Sequence, residues 1–387
     1  MKQLSSIYQF FSEINCQFQC YEMGRFIQSI DQQNWEDFEQ NKTPWASPFL
    51  QHAWIGLIFW ENVESKTQGQ DLNHTVWFLK LPLDEQAQLS LIARDDFLRR
   101  LVETLGQYLQ QKAHKKENST DSLMYSLENT MKDNPYGFQP KQEAMANFHA
   151  IVHQQLGLDS SPFYQATQTY LADIVQNNTQ VNNDSWQQLG LQGFADLTAR
   201  LNEKYQNKSN QQLLIDSINH LPLAVLNVLG LCLENHKIST QLQYALVDLA
   251  LKNIKHNTTD SLASLCALSI RATAQSSDKK LQTQFLQEVL SSSIKTNIEV
   301  LVSISGRCWA QLSENKTLKL YLEAMAITDK EVHPGAFSAI LTDLMFIPGM
   351  REDILQVFRS PERSAILSEA IAAFFSQKLN NKHSEIQ

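Results

Sequence analysis

The sequence predicts an α+β protein that is mostly α: a small N-terminal antiparallel sheet with helices, followed by an all-α region with solenoid-like helix pairs of the HEAT or armadillo type. Two runs rich in β-branched and aromatic residues, 52–60 and 75–81, lie in the first third of the chain, and such runs suit a packed, pleated surface. From about residue 141, apolar residues recur at helical steps of three and four. Beyond residue 211, apolar helices begin at intervals of 36 to 39 residues, a period typical of helical repeats. An irregular helical bundle is the alternative, because the recurring segments share a pattern rather than residues.

The first third of the chain carries the predicted β-structure. Residues 18–30 contain two short extended segments, and residues 52–60 (HAWIGLIFW) and 75–81 (TVWFLKL) are strongly apolar. The polar residues 61–73 join the last two runs, so we expect an antiparallel pair with a long connection. The sequence therefore predicts a small α+β domain over residues 1–110.

An acidic pair follows the second apolar strand. Pro82 cannot donate to a β-ladder and ends that strand, and Asp84 and Glu85 come next. We predict that they begin a helix over residues 84–109, because carboxylates bind the free N–H groups at a helix start and complement its dipole. An exposed acidic pair that binds a partner is the second interpretation, and a general acid–base pair is the third. The core-facing side of this helix is marked by an apolar stripe: Ala93, Phe97, Leu101, Leu105 and Tyr108.

Residues 111–140 are predicted to be a polar linker and turn. Asn134-Pro135 and Tyr136-Gly137 are turn dipeptides. Two interpretations stay open for this turn. It is either a fixed crossover between domains or an exposed aromatic loop in which Tyr136 and Phe138 anchor a partner, since aromatic residues are favoured at binding hot spots.

The rest of the chain is predicted to be helical. A helical region covers residues 141–210, in which Ser161-Pro162 is a typical helix start. Solenoid-like helical repeats cover residues 211–380. The polar residues 381–387 are predicted to be a disordered tail.

The amino-acid composition argues against several classes of function. The chain has 387 residues, of which 43% are hydrophobic and 19% charged, with a formal net charge of −9. That charge argues against a general nucleic-acid binder, which has a basic surface, and against binding to anionic membranes. The N-terminus lacks the apolar core of a secretory signal, and the apolar runs are too short to span a bilayer. Five cysteines, an odd number, favour the reducing cytoplasm.

No motif of high specificity for catalysis or for a cofactor is present. His149 and His153 are four residues apart on a predicted helix, and Cys16 and Cys20 form a C-x3-C pair. Both patterns lack the further ligands that would define a metal site, so structural roles are favoured. Phosphate-binding glycine loops and nucleophile elbows are also missing from the sequence. We therefore predict no catalytic, cofactor-binding or metal-binding residue.

Four motifs carry a resemblance to a known family. They are G-R-x-x-Q-x-I-D at Gly24–Asp31, KTPW at Lys42–Trp45, QHAW at Gln51–Trp54, and LDE at Leu83–Glu85 following WFLKLP. The chain resembles a bacterial, gammaproteobacterial-type family of proteins of unknown function that is marked by the LDE motif. The resemblance covers most of the chain, and its most distinctive motifs lie in the first 110 residues. It implies no reaction, cofactor or catalytic residue.

These observations lead to an expected function. We expect a cytoplasmic, non-enzymatic scaffold or adaptor that binds another protein through its helical-repeat surface, because stacked helix pairs create elongated binding surfaces. The alternative is a small-molecule binder or an enzyme with a pocket between the N-terminal and helical domains. We expect neither nucleic-acid binding nor membrane insertion. The candidate interaction residues are Asp84, Glu85, Tyr136 and Phe138.

Overall fold

A computed structural model of the chain describes residues 5–61, 74–114, 123–132, 134–177, 185–256 and 261–384. The chain divides into two compact units. The first comprises Met1–Ala144 with Phe346–Pro348, and the second comprises Met145–Met345 with Gly349–Gln387. The predicted α+β fold class, mostly α with a small N-terminal antiparallel sheet, is confirmed.

The first unit contains a four-stranded antiparallel sheet. Its strands are β1 (Cys16–Glu22), β2 (Gln28–Ile30), β3 (His52–Glu61) and β4 (His74–Pro82). They lie in the order β2-β1-β3-β4, and Leu57 of β3 pairs with Cys20 of β1 and Trp77 of β4. The predicted antiparallel pairing of the two apolar runs is therefore confirmed. Most of the predicted connection, residues 62–73, lies outside the described residues.

Four helices belong to this unit: α1 (Ile7–Glu13), α2 (Gln32–Glu39), α3 (Leu91–His114) and α4 (Leu123–Asn129). They share one hydrophobic core with the sheet. Phe97 and Leu101 of the predicted stripe are completely buried in that core, and the ring of Phe97 meets Trp77 edge-to-face at 6.1 Å. The predicted stripe is thus correct at these positions, because a period near 3.6 residues keeps them on one face of the helix.

Two predicted boundaries in this unit are wrong. Helix α3 begins at Leu91 rather than at residue 84, since residues 83–89 close a turn in which Leu83 and Leu89 form a β-bridge. Residues 115–122 and 133 of the predicted linker lie outside the described residues. The described part of residues 111–140 is more than a linker and a turn. It includes the end of α3 and all of α4, whose Met124 and Leu127 are buried. Two buried positions in a seven-residue helix give too little periodicity to be recognised in a sequence.

The remaining helices follow from residue 142 onward. They are α5 (Gln142–Gln155), α6 (Phe163–Asn177), α7 (Gly190–Ala199), α8 (Asn210–Ser217), α9 (Leu223–Leu233), α10 (Thr240–His256), α11 (Leu262–Thr273), α12 (Lys279–Leu290), α13 (Ile298–Arg307), α14 (Trp309–Leu312), α15 (Asn315–Glu331), α16 (Ala336–Leu344), α17 (Met350–Arg359) and α18 (Ala365–Ser384). A short hairpin, β5 (Lys204–Tyr205) and β6 (Lys208–Ser209), precedes α8. Residues 381–384 of the predicted tail are therefore helical, and residues 385–387 lie outside the described residues.

Two rows of helices run through the second unit. Helix α11 packs between α9 and α13, and α12 contacts both α10 and α15. Gly230 permits the close approach of α9 to α11, because a Cβ atom there would lie 2.8 Å from the Cβ of Leu268. Within the described part of the chain, no helix combines the length and the apolar character that crossing a membrane requires.

Candidate functional site

The family-like motifs of the first unit meet at one end of its sheet. The QHAW motif lies beside the LDE motif, because the amide of Leu83 donates to the carbonyl of Gln51 at 3.0 Å. Helix α3 starts at the same place, since the amide of Ser90 donates to the carbonyl of Pro82 at 3.0 Å. The KTPW motif joins them through the amide of Trp45, which donates to the carbonyl of Ala87 at 2.8 Å. We therefore take this end of the sheet as the candidate site.

Asp84 organises the turn that carries the LDE motif. Its Oδ1 accepts from the amides of Gln86 at 2.8 Å and Gln88 at 2.9 Å. This is the bonding that a helix cap would make, but the N–H groups belong to a turn that doubles back on β4, so the predicted helix-start role is corrected. The next polar side chain after the turn, Ser90, lies directly before α3. Asp84 and Glu85 are both exposed, so the second interpretation, an acidic pair on the surface, agrees with their position.

Asn41 ties the other end of this turn to the segment after α2. Its side-chain amide donates to the carbonyl of Leu89 at 3.1 Å, and its Oδ1 accepts from the amide of Leu89 at 3.1 Å. The side chain of Asn41 thus makes the two hydrogen bonds to the backbone of Leu89 that a neighbouring strand would otherwise make. Ala87 sits in this turn with a φ of 60° and is fully buried, a conformation that L-residues adopt only at a cost.

A second strained turn lies beside the first. Phe49 and His52 exchange both backbone hydrogen bonds at 3.1 Å, which leaves Leu50 and Gln51 as a two-residue loop with φ values of 49° and 62°. Such a type I′ turn normally carries Asn or Gly, and each ordinary L-residue in this conformation costs about 1–2 kcal/mol. Strain of this kind clusters at functional sites, and here it presents Leu50 with 58% of its surface exposed.

Two more exposed apolar residues begin α3. Leu91 is 43% exposed and Ile92 is 85% exposed, the highest value among the large hydrophobic residues that the structure describes. Together with Leu50, Asp84 and Glu85 they form what we call the sheet-end surface. Sequence analysis missed the three apolar members. The position of Ile92 outside the apolar stripe of the helix could have predicted that it is exposed. The Leu50–Gln51 turn could not have been predicted in this way, because it lacks the residues that are usual in turns.

A buried polar network supports the strained turn from inside. Glu22 accepts hydrogen bonds from the amide of Gly24 at 3.0 Å and from the hydroxyl of Ser47. The fully buried Arg25 donates from Nε to the carbonyl of Pro48 at 2.8 Å and lies 5.6 Å above the ring of Phe49. These bonds explain the Gly-Arg pair of the first motif. A Cβ atom at Gly24 would lie 2.9 Å from the Glu22 carboxylate and 3.2 Å from Phe49.

Two buried glutamates in this unit titrate near neutrality. Burial raises the pKa of Glu22 to about 7, against the opposing effect of the hydrogen bonds from Ser47 and the backbone. Burial likewise raises the pKa of Glu39 to about 7, although its carboxylate accepts from the amides of Ile7 at 2.6 Å and Tyr8 at 3.1 Å at the start of α1. Hydrogen bonds from the protein occupy both carboxyl groups, so we assign them structural roles.

We expect the stability of the first unit to fall as the pH rises from about 5 to 8. A carboxyl group whose folded pKa exceeds its unfolded value stabilises the fold fully below the unfolded pKa, and this stabilisation is lost as the pH passes the folded pKa. A rise from 4.5 to about 7 corresponds to about 3 kcal/mol for Glu22. Urea unfolding followed by tryptophan fluorescence at several pH values measures the effect. Glu22→Gln should make the profile shallower, with the contribution of Glu39 remaining, and an unchanged slope in this variant would contradict the assignment.

The other two candidate residues lie along β4 rather than at the sheet end. The amide of Lys80 donates to the carbonyl of Tyr136 at 2.8 Å, and the amide of Phe138 donates to the carbonyl of Phe78 at 3.1 Å. This segment therefore extends the sheet beyond β4. Asp84 lies four residues beyond Lys80, in the turn that follows the end of β4.

The aromatic rings of this segment are occupied within the first unit. The hydroxyl of Tyr136 donates to Asp96 at 3.2 Å, and the ring of Phe138 packs on Trp54 at 4.7 Å. Both residues are half-buried. These contacts hold both rings within the first unit, and they do not bring the pair together with Asp84 and Glu85.

The cysteine pair and the histidine pair that the sequence analysis weighed as metal ligands can now be placed in the structure. Cys16 and Cys20 are buried free thiols, and burial raises the pKa of Cys16 to about 11, which makes it a poor nucleophile. The rings of His149 and His153 lie 6.1 Å apart. Across the ranges that the structure describes, no three His, Cys, Asp or Glu residues are grouped so that they could hold a metal ion.

Comparisons with known proteins give one positive result. Neither the curated proteins nor the solved structures contain a significant match to this chain. A family model described as "Protein of unknown function (DUF3549)" matches residues 2–375. Because that match covers nearly the whole length, the chain belongs to the DUF3549 family of proteins of unknown function.

Proposed function

We propose that this chain is a protein-interaction protein and that one partner binds at the sheet-end surface. The observation that carries the proposal is Ile92, a large apolar side chain that is 85% exposed. Its helix begins at the end of β4, and the strained turn that presents Leu50 adjoins the same strand end. Apolar residues grouped on a surface mark interaction sites, and strain that the rest of the fold must offset is typical of functional positions. The alternative prediction, a small-molecule binder or an enzyme, stays a prediction, as does the cytoplasmic location.

The chemistry of this surface indicates the chemistry of the partner. Leu50, Leu91 and Ile92 supply apolar contact area, while Asp84 and Glu85 place two carboxylates next to it. A partner segment with apolar residues flanked by Lys or Arg would complement both features. The net charge of −9 also favours encounter with a basic partner.

The helical part of the prediction also remains a proposal: residues 211–380 form a helical-repeat stack. Its support is the two rows of helices together with a recurrence in the sequence. Arg271-x-x-Ala-Gln-x-Ser-Asp278 returns 36 residues later as Arg307-x-x-Ala-Gln-x-Ser-Glu314. The last residue of each copy caps the next helix: Asp278 accepts from the amide of Leu281 at 2.9 Å, and Glu314 accepts from the amide of Thr317 at 2.7 Å. At least two segments therefore share residues as well as a pattern.

Site-specific photo-crosslinking tests the sheet-end proposal. A photoreactive amino acid at position 92, introduced in the cells that make the protein, should capture one dominant protein. Mass spectrometry should place the crosslink in a segment that is rich in apolar residues and in Lys or Arg. The same amino acid at position 332 is the control, because Val332 is also exposed but lies in the second unit.

Affinities measured with that purified partner complete the test. Ile92→Asp should weaken binding at least tenfold, since it removes the apolar anchor, and Glu85→Lys should weaken it mainly at low salt. Val332→Asp should leave the affinity unchanged. The proposal fails if position 92 captures only what position 332 captures, or if Ile92→Asp and Val332→Asp have equal effects.

A further inference from the structure

Three charged residues meet at one end of the helix row formed by α9, α11 and α13. Arg271 lies in the last turn of α11, Arg307 in the last turn of α13, and Glu234 directly follows α9. Nη2 of Arg307 donates to Oε1 of Glu234 at 2.8 Å, and Nε of Arg271 lies 3.8 Å from Oε2 of Glu234. Two guanidinium groups from neighbouring helices therefore face one carboxylate.

The two arginines have far more donors than acceptors. Together they carry ten N–H donors. In the part of the chain that the structure describes, their acceptors are Glu234 Oε1, the carbonyl of Gly306 at 3.1 Å and, at the distance limit, the hydroxyl of Ser303 at 3.5 Å. The two Nε atoms and Oε2 of Glu234 are buried and make no hydrogen bond in the described part of the chain.

Burial and the neighbouring charges act on the pair in opposite directions. Burial lowers the pKa of Arg271, Glu234 and Glu299 raise it, and the positive charge of Arg307 lowers it further. Glu299 is exposed on the first turn of α13 and makes no ion pair with either arginine among the described residues. The last turns of α11 and α13 favour positive charge, because helix carbonyls end there. The helix ends therefore help to hold both arginines in place beside Glu234.

Both side chains reach the surface. The side chain of Arg271 is 18% exposed and that of Arg307 is 22% exposed. Part of each arginine side chain is therefore accessible to a ligand from solvent.

We infer that Arg271 and Arg307 form a binding site for a carboxylate of an acidic protein segment. Arginine binds carboxylates through two parallel N–H bonds, and Glu234 already shows that a carboxylate fits between these helix ends. The recurrence of Arg at the same position of two related segments places equivalent guanidinium groups on adjacent helices, as recognition of an extended acidic segment requires. This site lies in the second unit and its ligand has the opposite charge to the partner of the sheet-end surface, so it is a separate activity.

Binding of a short glutamate-rich peptide to the full chain tests the inference. The probe is a fluorescent peptide of alternating Glu and Gly, and its counterpart with Gln in place of Glu is the neutral control. Arg271→Gln and Arg307→Gln should each weaken binding of the acidic peptide at least tenfold. Glu234→Gln should strengthen it several-fold, because the variant removes the internal carboxylate that competes for the same donors.

Controls separate this site from nonspecific charge effects. Arg359→Gln removes an arginine from the last turn of another helix, α17, and should leave the affinity unchanged. If an arginine variant unfolds, Arg307→Lys keeps the charge without the forked geometry and should still weaken binding. The inference is overturned if Glu234→Gln fails to strengthen binding, if Arg359→Gln weakens it as much as Arg307→Gln, or if inorganic phosphate displaces the peptide at concentrations where acetate does not.

Discussion

Leu101→Asp is expected to unfold the first unit. Leu101 is completely buried on the core-facing side of α3, in the cluster that joins this helix to the sheet. The substitution removes an apolar side chain and buries a carboxylate without a partner. We expect a loss of about 4 kcal/mol or more, which is a large part of the stability of a domain of this size.

Tryptophan fluorescence measures this result selectively, because five of the seven tryptophans, Trp35, Trp45, Trp54, Trp60 and Trp77, belong to the first unit. Ile92→Asp is the matched control. It makes the same kind of change on the same helix at an exposed position, and aspartate in the first turn complements the helix dipole. Its effect should stay within about 0.5 kcal/mol. Similar losses for both variants would contradict the placement of α3.

Gly193→Ala is expected to destabilise the second unit by about 2–3 kcal/mol. Gly193 lies in α7, where that helix crosses α6. A Cβ atom there would lie 2.3 Å from Oγ1 of Thr167 and 2.8 Å from the backbone carbonyl of Phe163. The Thr167 side chain can rotate, but the carbonyl belongs to α6 itself, so the two helices must move apart. Overpacking of this kind typically costs 1–3 kcal/mol.

Amide hydrogen exchange over α6 and α7 measures this change locally, which avoids treating a chain of two units as a two-state system. Gly106→Ala is the control. Gly106 lies within α3, and a Cβ atom there would meet nothing within 4 Å. Alanine should therefore stabilise that helix by about 0.5–1 kcal/mol. Two outcomes would contradict the close approach at Gly193. One is unchanged exchange over α6 and α7 in Gly193→Ala, and the other is equally faster exchange over α3 in Gly106→Ala.

The sheet-end surface and the arginine pair differ in what the sequence showed of them. Asp84 and Glu85 were visible as an acidic pair after a strand, and their exposure agrees with one of the predicted interpretations. The apolar members were not visible, because a hydrophobic residue in a sequence predicts burial, and Ile92 is exposed only because α3 turns its other side to the sheet. The sequence also contained the Arg-x-x-Ala-Gln-x-Ser recurrence, but no pattern in it linked either arginine to Glu234.

Local sequence patterns predicted the fold class, the antiparallel pair of apolar strands, the buried stripe of α3 and the mainly helical character of the chain after residue 141. They did not predict the short hairpin formed by β5 and β6. The predicted features follow from the order of apolar and polar residues over short stretches, and that order acts locally. Three features became visible only in the three-dimensional structure: Asp84 closes a turn, Tyr136 and Phe138 pair with β4, and Leu50 is held in a strained loop. Each of these depends on hydrogen bonds between distant segments, such as those between Asn41 and Leu89, and local periodicity carries no information about such partners.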